Sequence, residues 1–437
     1  MQAKRLALVL GTAAVVAVGC GGEPIEPIVE ITPGLQAFIG ARLIDGTGGP
    51  VIEDSVIVVR DGRIEAAGSR DGVEVPPDAE QVDVGGRTIL PGLINAHGHI
   101  NNVRGLESDP SFYTEEHVEN QLGLYARYGI TTVFSLGGDG PEGMLVRDRQ
   151  DNSDLDRARL YVAGAIVTGP SPEEAREQVS AVAASGADVV KIRVDDNLGS
   201  STKMTPETYQ AVIAASHEQS LDLTAHMYYL EDAKGLLRAG ADLLAHSVRD
   251  SEVDDELVSL LRDSGACYCP TLMREVSTYV YETRPDWFDD PFFLKEADPA
   301  VISALEEPDY QERLQNSRSA QTYKTQLAVA KQNLKILSDA GIPIAMGTDT
   351  GPAARFQGYF EHGELALMVE AGLTPMQAIV ASTSDAARCM NVEADLGSLE
   401  AGKWADFLVL GENPLEDIAN THSLESVYIA GNAVPGV

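Results

Sequence analysis

The sequence predicts a (β/α)8 barrel accompanied by a smaller β domain built from both flanking segments. Three observations predict it. Apolar strand-like runs alternate with amphipathic helical stretches over about 300 residues. Many of these runs follow a helix-stopping glycine, as in Ser185-Gly186, Ala239-Gly240, Ser264-Gly265 and Ala340-Gly341. On either side of this region the pattern changes to short strands and turns.

The chain begins with Lys4 and Arg5, an apolar run from Leu6 to Val18, and then Gly19-Cys20-Gly21-Gly22. A charged start, an apolar middle and a small-residue exit make residues 1–19 a signal peptide. The run is shorter than the ~20 residues a membrane span needs. Ala17-Val18-Gly19-Cys20 resembles a bacterial lipobox, with Ala17 where leucine is usual. That resemblance implies cleavage before Cys20 and a lipid on its sulfur; a plain secretory signal is the alternative. Either way the mature protein is exported to the cell envelope, on the periplasmic side or at the outer membrane. The lipid would be its only membrane contact. With three prolines between Glu23 and Gly34, residues 20–34 read as a tether.

Residues 35–90 carry turn signals, Asp45-Gly46-Thr47-Gly48-Gly49 and Asp61-Gly62, between apolar runs such as Ser55-Val56-Ile57-Val58-Val59. Barrel strands are expected at 90–97, 131–136, 160–167, 188–194, 221–227, 242–248, 266–272 and 342–348. Helices are expected between them, for example at 172–184, 206–219 and 231–239. Residues 275–319 hold Pro, Trp and acidic clusters, with no clear strand, and read as an insertion after strand seven. The barrel domain is taken as 91–390. Residues 391–437 return to short strands and pair with 35–90 as a composite β-sandwich domain.

The 437 residues are 44% hydrophobic and 23% charged, as in a soluble globular protein. Sixty-seven acidic residues against 32 basic ones leave a net charge of −35, which opposes nucleic-acid binding. Attraction of a cationic substrate is compatible with this charge but not required by it. Cys267 and Cys269 are same-face strand neighbours, a poor spacing for a disulfide or a zinc ribbon, and read as core residues.

In such a barrel, catalytic groups sit at the C-terminal ends of strands. Strand one ends in His97 and His99, whose i, i+2 spacing places both imidazoles on one face. Strand four carries Lys191, strand five His226, strand six His246 and strand eight Asp349. Taken singly, each has an ordinary structural reading: a core histidine, a snorkelling lysine or a capping aspartate. Together they land where a barrel would place metal ligands. His117, His217 and His422 fall outside this pattern and read as surface residues, whereas His362 follows strand eight and could approach the site.

The set resembles the amidohydrolase superfamily, within it the imidazolonepropionase-like and prolidase-like dipeptidase branch. Supporting motifs are Pro91-Gly92-Leu93-Ile94, Glu364-Leu365, Ala371-Gly372-Leu373-Thr374-Pro375, Gln377-Ala378-Ile379, and Gly397-Ser398-Leu399-Glu400-Ala401-Gly402-Lys403 with Ala405-Asp406. The resemblance implies that His97, His99 and Asp349 hold a buried metal, and that His226 and His246 hold a more exposed one. It implies that Lys191 reacts with CO2 and bridges both ions as a carbamate. Two divalent ions, zinc first among them, would share a hydroxide. Asp349 would carry its proton to the leaving nitrogen; His246 is counted with Asp349 as catalytic. Tyr228, two residues after His226, would bind a substrate carboxylate. Arg193 shares the face of Lys191 and could meet an anion or form a structural ion pair. Asp195, Asp196 and Arg355 are weaker candidates.

The function expected is hydrolysis of a C–N amide bond in a dipeptide, an N-acyl amino acid or a cyclic amide. Deamination, or ester or phosphoester hydrolysis, on the same metals is the second reading. An inactive lipid-anchored binding protein is the third. The sequence leaves the oligomeric state open, with a homo-oligomer compatible.

Overall fold

The structure, a computed structural model, describes residues 32–437. The signal peptide, Cys20 and most of the tether lie outside the described residues. No described helix is long and apolar enough to cross a membrane.

Seven parallel strands form the middle of the chain. Leu93–Gly98, Ile130–Ser135 and Arg159–Val162 make one ladder set. Val190–Arg193, Leu223–His226, Leu243–Ala245 and Cys267–Cys269 make the other. Single bridges continue between them: Val167 with Ile192, Tyr268 with Ile344, and Gly98 with Thr350. The expected eighth strand is therefore no continuous strand. It still bonds to both neighbours, through Ala345 N to Tyr268 O and Ala96 N to Met346 O. Pro343 brings no N–H to the ladder, and Asp349 turns the chain at φ 58°.

Helices pack outside the strands where the sequence places them. Pro172–Ala184 and Pro206–Glu218 start at the side-chain caps Ser171 and Thr205, each with proline in the first turn. Leu230–Ala239 and Asp255–Ser264 end at Gly240 and Gly265, which take the left-handed conformation. The stretch expected as a strand at 266–272 is shorter: Cys267–Cys269 is the strand, and the helix Leu272–Ser277 follows. Between that helix and the 22-residue helix Arg318–Asp339 the insertion is made of short helices. It is held by an aromatic cluster that includes Tyr281, Trp287, Phe288, Phe293 and Phe360.

The expected strand at 90–97 also divides. Thr88–Pro91 pairs with Leu35–Leu43 and Phe407–Leu410, whereas Leu93–Gly98 enters the parallel set. The break falls at Gly92, where a Cβ would sit 2.0 Å from Thr131 Oγ1. Segments from both chain ends join in one eight-stranded sheet. A buried ion pair, Arg159 Nε to Asp406 Oδ2 at 2.8 Å, ties this sheet to the parallel strands.

One cysteine expectation is corrected. Cys267 is disulfide-bonded to Cys389, while Cys269 is a free, buried core residue. Considering Cys267 only beside Cys269 misses a partner 122 residues away in sequence.

Candidate metal centre

The strand-end residues converge. His97, His246 and Asp349 are buried, and each offers a ligand atom within 4.8 Å of the others. His99 Nε2 lies 2.8 Å and His97 Nε2 3.5 Å from the same oxygen, Asp349 Oδ1. Lys191 Nζ is 3.1 Å from His97 Nε2. The His226 ring packs against His246 at 4.2 Å between centroids, and His246 against His97 at 4.6 Å.

The backbone is shaped to deliver these groups. His246, Thr271 and Asp349 all adopt positive φ, at 71°, 48° and 58°. Non-glycine residues rarely do so, and such strain gathers at functional sites. Gly347 leaves room for His97, since a Cβ there would lie 2.9 Å from His97 N.

Surrounding groups orient the imidazoles. His99 Nδ1 meets the Gly137 carbonyl at 3.1 Å, and His246 Nδ1 meets Thr271 Oγ1 at 2.7 Å. This leaves the other ring nitrogen of each free to face a common centre, the usual arrangement behind a metal-binding histidine. His97 Nδ1 and His226 Nε2 are buried without a hydrogen-bond partner. Beneath the site, Glu361 accepts bonds from Asn95, Thr348 and Thr350 at 2.5, 2.7 and 2.7 Å, tying strand one to the Asp349 segment.

Electrostatics favour neutral imidazoles. Burial, aided by Lys191, holds His97 well below the ordinary histidine range, and burial with His226 does the same for His246. Burial pushes His226 down to about 4 against the opposing pull of Asp195. Metal ligation needs the neutral ring. Burial also pushes the Lys191 ammonium down to about 8. Burial opposes ionisation of Asp349, but Arg355, His99 and His97 outweigh it and keep the carboxyl well below the usual range. The donor set of four imidazoles, a carboxylate and a buried amine fits divalent metal ions.

Not every candidate joins the centre. Arg193 is an exposed strand-end residue that donates to Asp195 Oδ1 at 2.9 Å, the ion-pair arrangement. Asp195 in turn lies 3.3 Å from His226 Nε2. Tyr228 is buried beside the site and hydrogen-bonds Gln326. His362 is remote: its ring nitrogens bond to Thr421 Oγ1 and the Tyr128 carbonyl. His217 is exposed, whereas His117 and His422 are half-buried rather than surface residues. A cavity of ≈ 740 Å³ between the helices Pro141–Arg147 and Pro172–Ala184 contains none of the metal-site residues.

Two neighbours were missed or undervalued by the sequence reading. Arg355 pairs with Asp349 Oδ2, and Arg274 Nε lies 3.9 Å from the same oxygen. The only signal for Arg274 was a charged pair, Arg274-Glu275, directly after an apolar run.

Residues 88–434 match the Amidohydrolase family model. The chain belongs to the amidohydrolase family. This amidohydrolase is similar in structure to a candidate prolidase from Bifidobacterium longum, with TM-score 0.73, 26% identity, and coverage of 94% of this chain and 95% of the other. That likeness, with the family match, places it in the α/β-barrel architecture with an extra domain and in the prolidase-like branch. It is 28% identical to an ochratoxinase of Aspergillus niger over 277 residues, which is 60% of this chain and 48% of the fungal one. The match thus spans about half of that relative's length. It is also 24% identical to a 5-methylthioadenosine/S-adenosylhomocysteine deaminase of Symbiobacterium thermophilum over 458 residues, 91% of this chain and 89% of the other.

Proposed function

We propose that this amidohydrolase is an exported, metal-dependent hydrolase that cleaves a C–N amide bond in a dipeptide, an N-acyl amino acid or a cyclic amide. The observation that carries this reading is the convergence of His97, His246 and Asp349 within 4.8 Å, flanked by His99, Lys191 and His226.

His97, His99 and Asp349 would hold one divalent ion, zinc by preference, and His226 and His246 a second. Lys191 would ligate both after its amine attacks CO2: an N–C bond forms, a proton leaves, and the carbamate supplies two oxygens. When bound, the ions supply polarisation of the scissile carbonyl and a more acidic water. Asp349 receives the proton released from that water and delivers it to the leaving nitrogen, so that amide and water yield acid and amine. Thr271 keeps the His246 ring turned inward, and Arg193 steadies Asp195 beside His226. Tyr228 stands at the rim to contact substrate.

The similarity to a deaminase over 91% of the chain favours one alternative, displacement of ammonia on the same centre. Export is supported by the pattern of residues 1–22 and by the Cys267–Cys389 disulfide, a bond typical of oxidising compartments. Lipid attachment at Cys20 belongs to the same reading. The shared sheet supports residues 35–90 and 391–437 as one composite domain.

Elemental analysis of the mature protein, beside turnover of dipeptides and N-acyl amino acids, tests the proposal. About two divalent ions per chain with amide turnover is expected. A single ion with ammonia release from an aminopurine would select the deaminase. No retained metal and no turnover after reconstitution would leave a binding protein.

A further inference from the structure

Five of the twelve buried side-chain polar atoms that lack a hydrogen-bond partner among the described residues lie in one patch: Arg249 Nε and Nη2, Arg274 Nε, Tyr323 Oη and Gln326 Oε1. The patch forms where the insertion meets the rim. Arg274 lies on the helix Leu272–Ser277, and Tyr323 and Gln326 lie on Arg318–Asp339. The Arg274 guanidinium sits 4.4 Å above the Tyr323 ring, and the Arg249 guanidinium 4.7 Å above Tyr228. Tyr228 and Tyr323 are 6.4 Å apart between ring centres. The patch touches the metal centre, because Arg274 Nε is 3.9 Å from Asp349 Oδ2.

Charge in the patch does not balance. Glu275 faces both Arg249 and Arg274 at 3.1 Å, one carboxylate between two guanidinium groups. Asp349 is shared with Arg355 and with His99. The remaining buried acid nearby, Glu364, is committed to the amides of Leu272 and Met273 at 2.8 and 2.6 Å. Three arginines against two carboxylates leave one positive charge, and buried charge without a partner is strongly unfavourable. In a chain of net charge −35, such a pocket is the opposite of the general surface.

We infer that Arg274 and Tyr323, beside Tyr228, form an anion subsite that binds a carboxylate of the substrate and selects substrates bearing a free carboxylate next to the scissile amide. This rests on the hydrolase reading above. A guanidinium fork matches the two oxygens of a carboxylate, and a tyrosine hydroxyl without a partner supplies a further donor. A neutral carboxamide at that place would leave the buried donors poorly paired and is rejected.

The test pairs each N-acyl amino acid and dipeptide of a panel with its C-terminal carboxamide. The wild-type protein should prefer the acid by about 10²-fold in kcat/KM. Arg274→Lys keeps the charge but loses the fork, and should collapse that ratio to within about tenfold, chiefly through KM. Tyr323→Phe removes a hydroxyl with no protein partner, so it folds, and should lower the ratio several-fold. Metal content, measured beside each variant, should stay at the wild-type value. Acids and carboxamides turned over alike by the wild type would overturn the subsite, as would an unchanged ratio in both variants. Calorimetry with free amino acids and their carboxamides reads the subsite without chemistry. If no panel member is turned over but amino acids bind and their carboxamides do not, the hydrolase reading fails and the subsite stands. If neither binds, the subsite fails.

Discussion

Two groups of buried histidines teach different things. At the strand ends, His97, His226 and His246 pack within 4.2 to 4.6 Å of one another between ring centres, and His97 Nδ1 and His226 Nε2 have no hydrogen-bond partner. On the far side, His362 packs 5.3 Å from His422, but both His362 ring nitrogens are engaged, at 2.9 and 2.7 Å. Burial lowers the proton affinity of both groups: His226 to about 4 and His362 to about 3. Burial and a displaced pKa therefore do not mark the site. Unpaired ring nitrogens, shared with a carboxylate and an amine, do. His362 follows strand eight closely enough to be suspected from sequence, yet its helix turns it onto Thr421 and Tyr128.

The comparison can be broken most sharply at Asp349. Asp349→Asn should keep the fold by circular dichroism and lower kcat by about 10²- to 10⁴-fold. Near-normal turnover would remove the proton-carrying role. Lys191→Ala should come next, with fewer ions per chain in elemental analysis and a matching loss of rate; unchanged stoichiometry and rate would reject the carbamate. Gly347→Ala forces a Cβ to within 2.9 Å of His97 N, so metal occupancy should fall together with a loss of about 1–3 kcal/mol in urea unfolding. Full occupancy at wild-type stability would show that the strand pair yields more readily than this packing implies.

His362→Gln should have the smallest effect on chemistry. Metal content should stay constant while stability drops by about 1–3 kcal/mol, from the two imidazole bonds disturbed. It also alters the pH dependence. Burial lowers the folded pKa of His362 from an ordinary value near 6.5 to about 3, so the unfolded chain takes up the proton first. Its contribution is complete above about pH 6.5 and is lost as pH falls toward about 3. Urea midpoints between pH 7 and pH 5 should therefore decline less steeply in the variant than in wild type. Parallel slopes would assign the acid sensitivity to other groups, the metal-site histidines first.

Much of this architecture could be read locally. The helix Pro172–Ala184 matches expectation at both ends because its signals are local: Ser171 as cap, proline behind it, and Gly186 beyond. The ligand candidates were readable for a related reason. Period-two geometry puts His97 and His99 on one face, and apolar runs ending in His226, His246 and Asp349 mark strand ends. Where reading failed, the deciding partner was distant. Thr88–Pro91 and Leu93–Gly98 look like one apolar strand, and only pairing with Phe407–Leu410 on one side and Ile130–Ser135 on the other divides them. Cys267 looked like core because Cys389 is remote in sequence.

The sequence by itself determined the alternation of strands and helices, the export-type amino terminus, and the identities of the six strand-end residues, since each depends on neighbours within a few positions. Tertiary structure alone decided that Arg193 turns to Asp195 and that His362 faces the aromatic core. It also decided that Arg274, Arg249 and Tyr323 gather around one carboxylate beside Asp349. The physical reason is that hydrogen bonding and charge balance are settled among groups brought together from different elements. Periodicity reports which face a side chain takes, not which partner waits there.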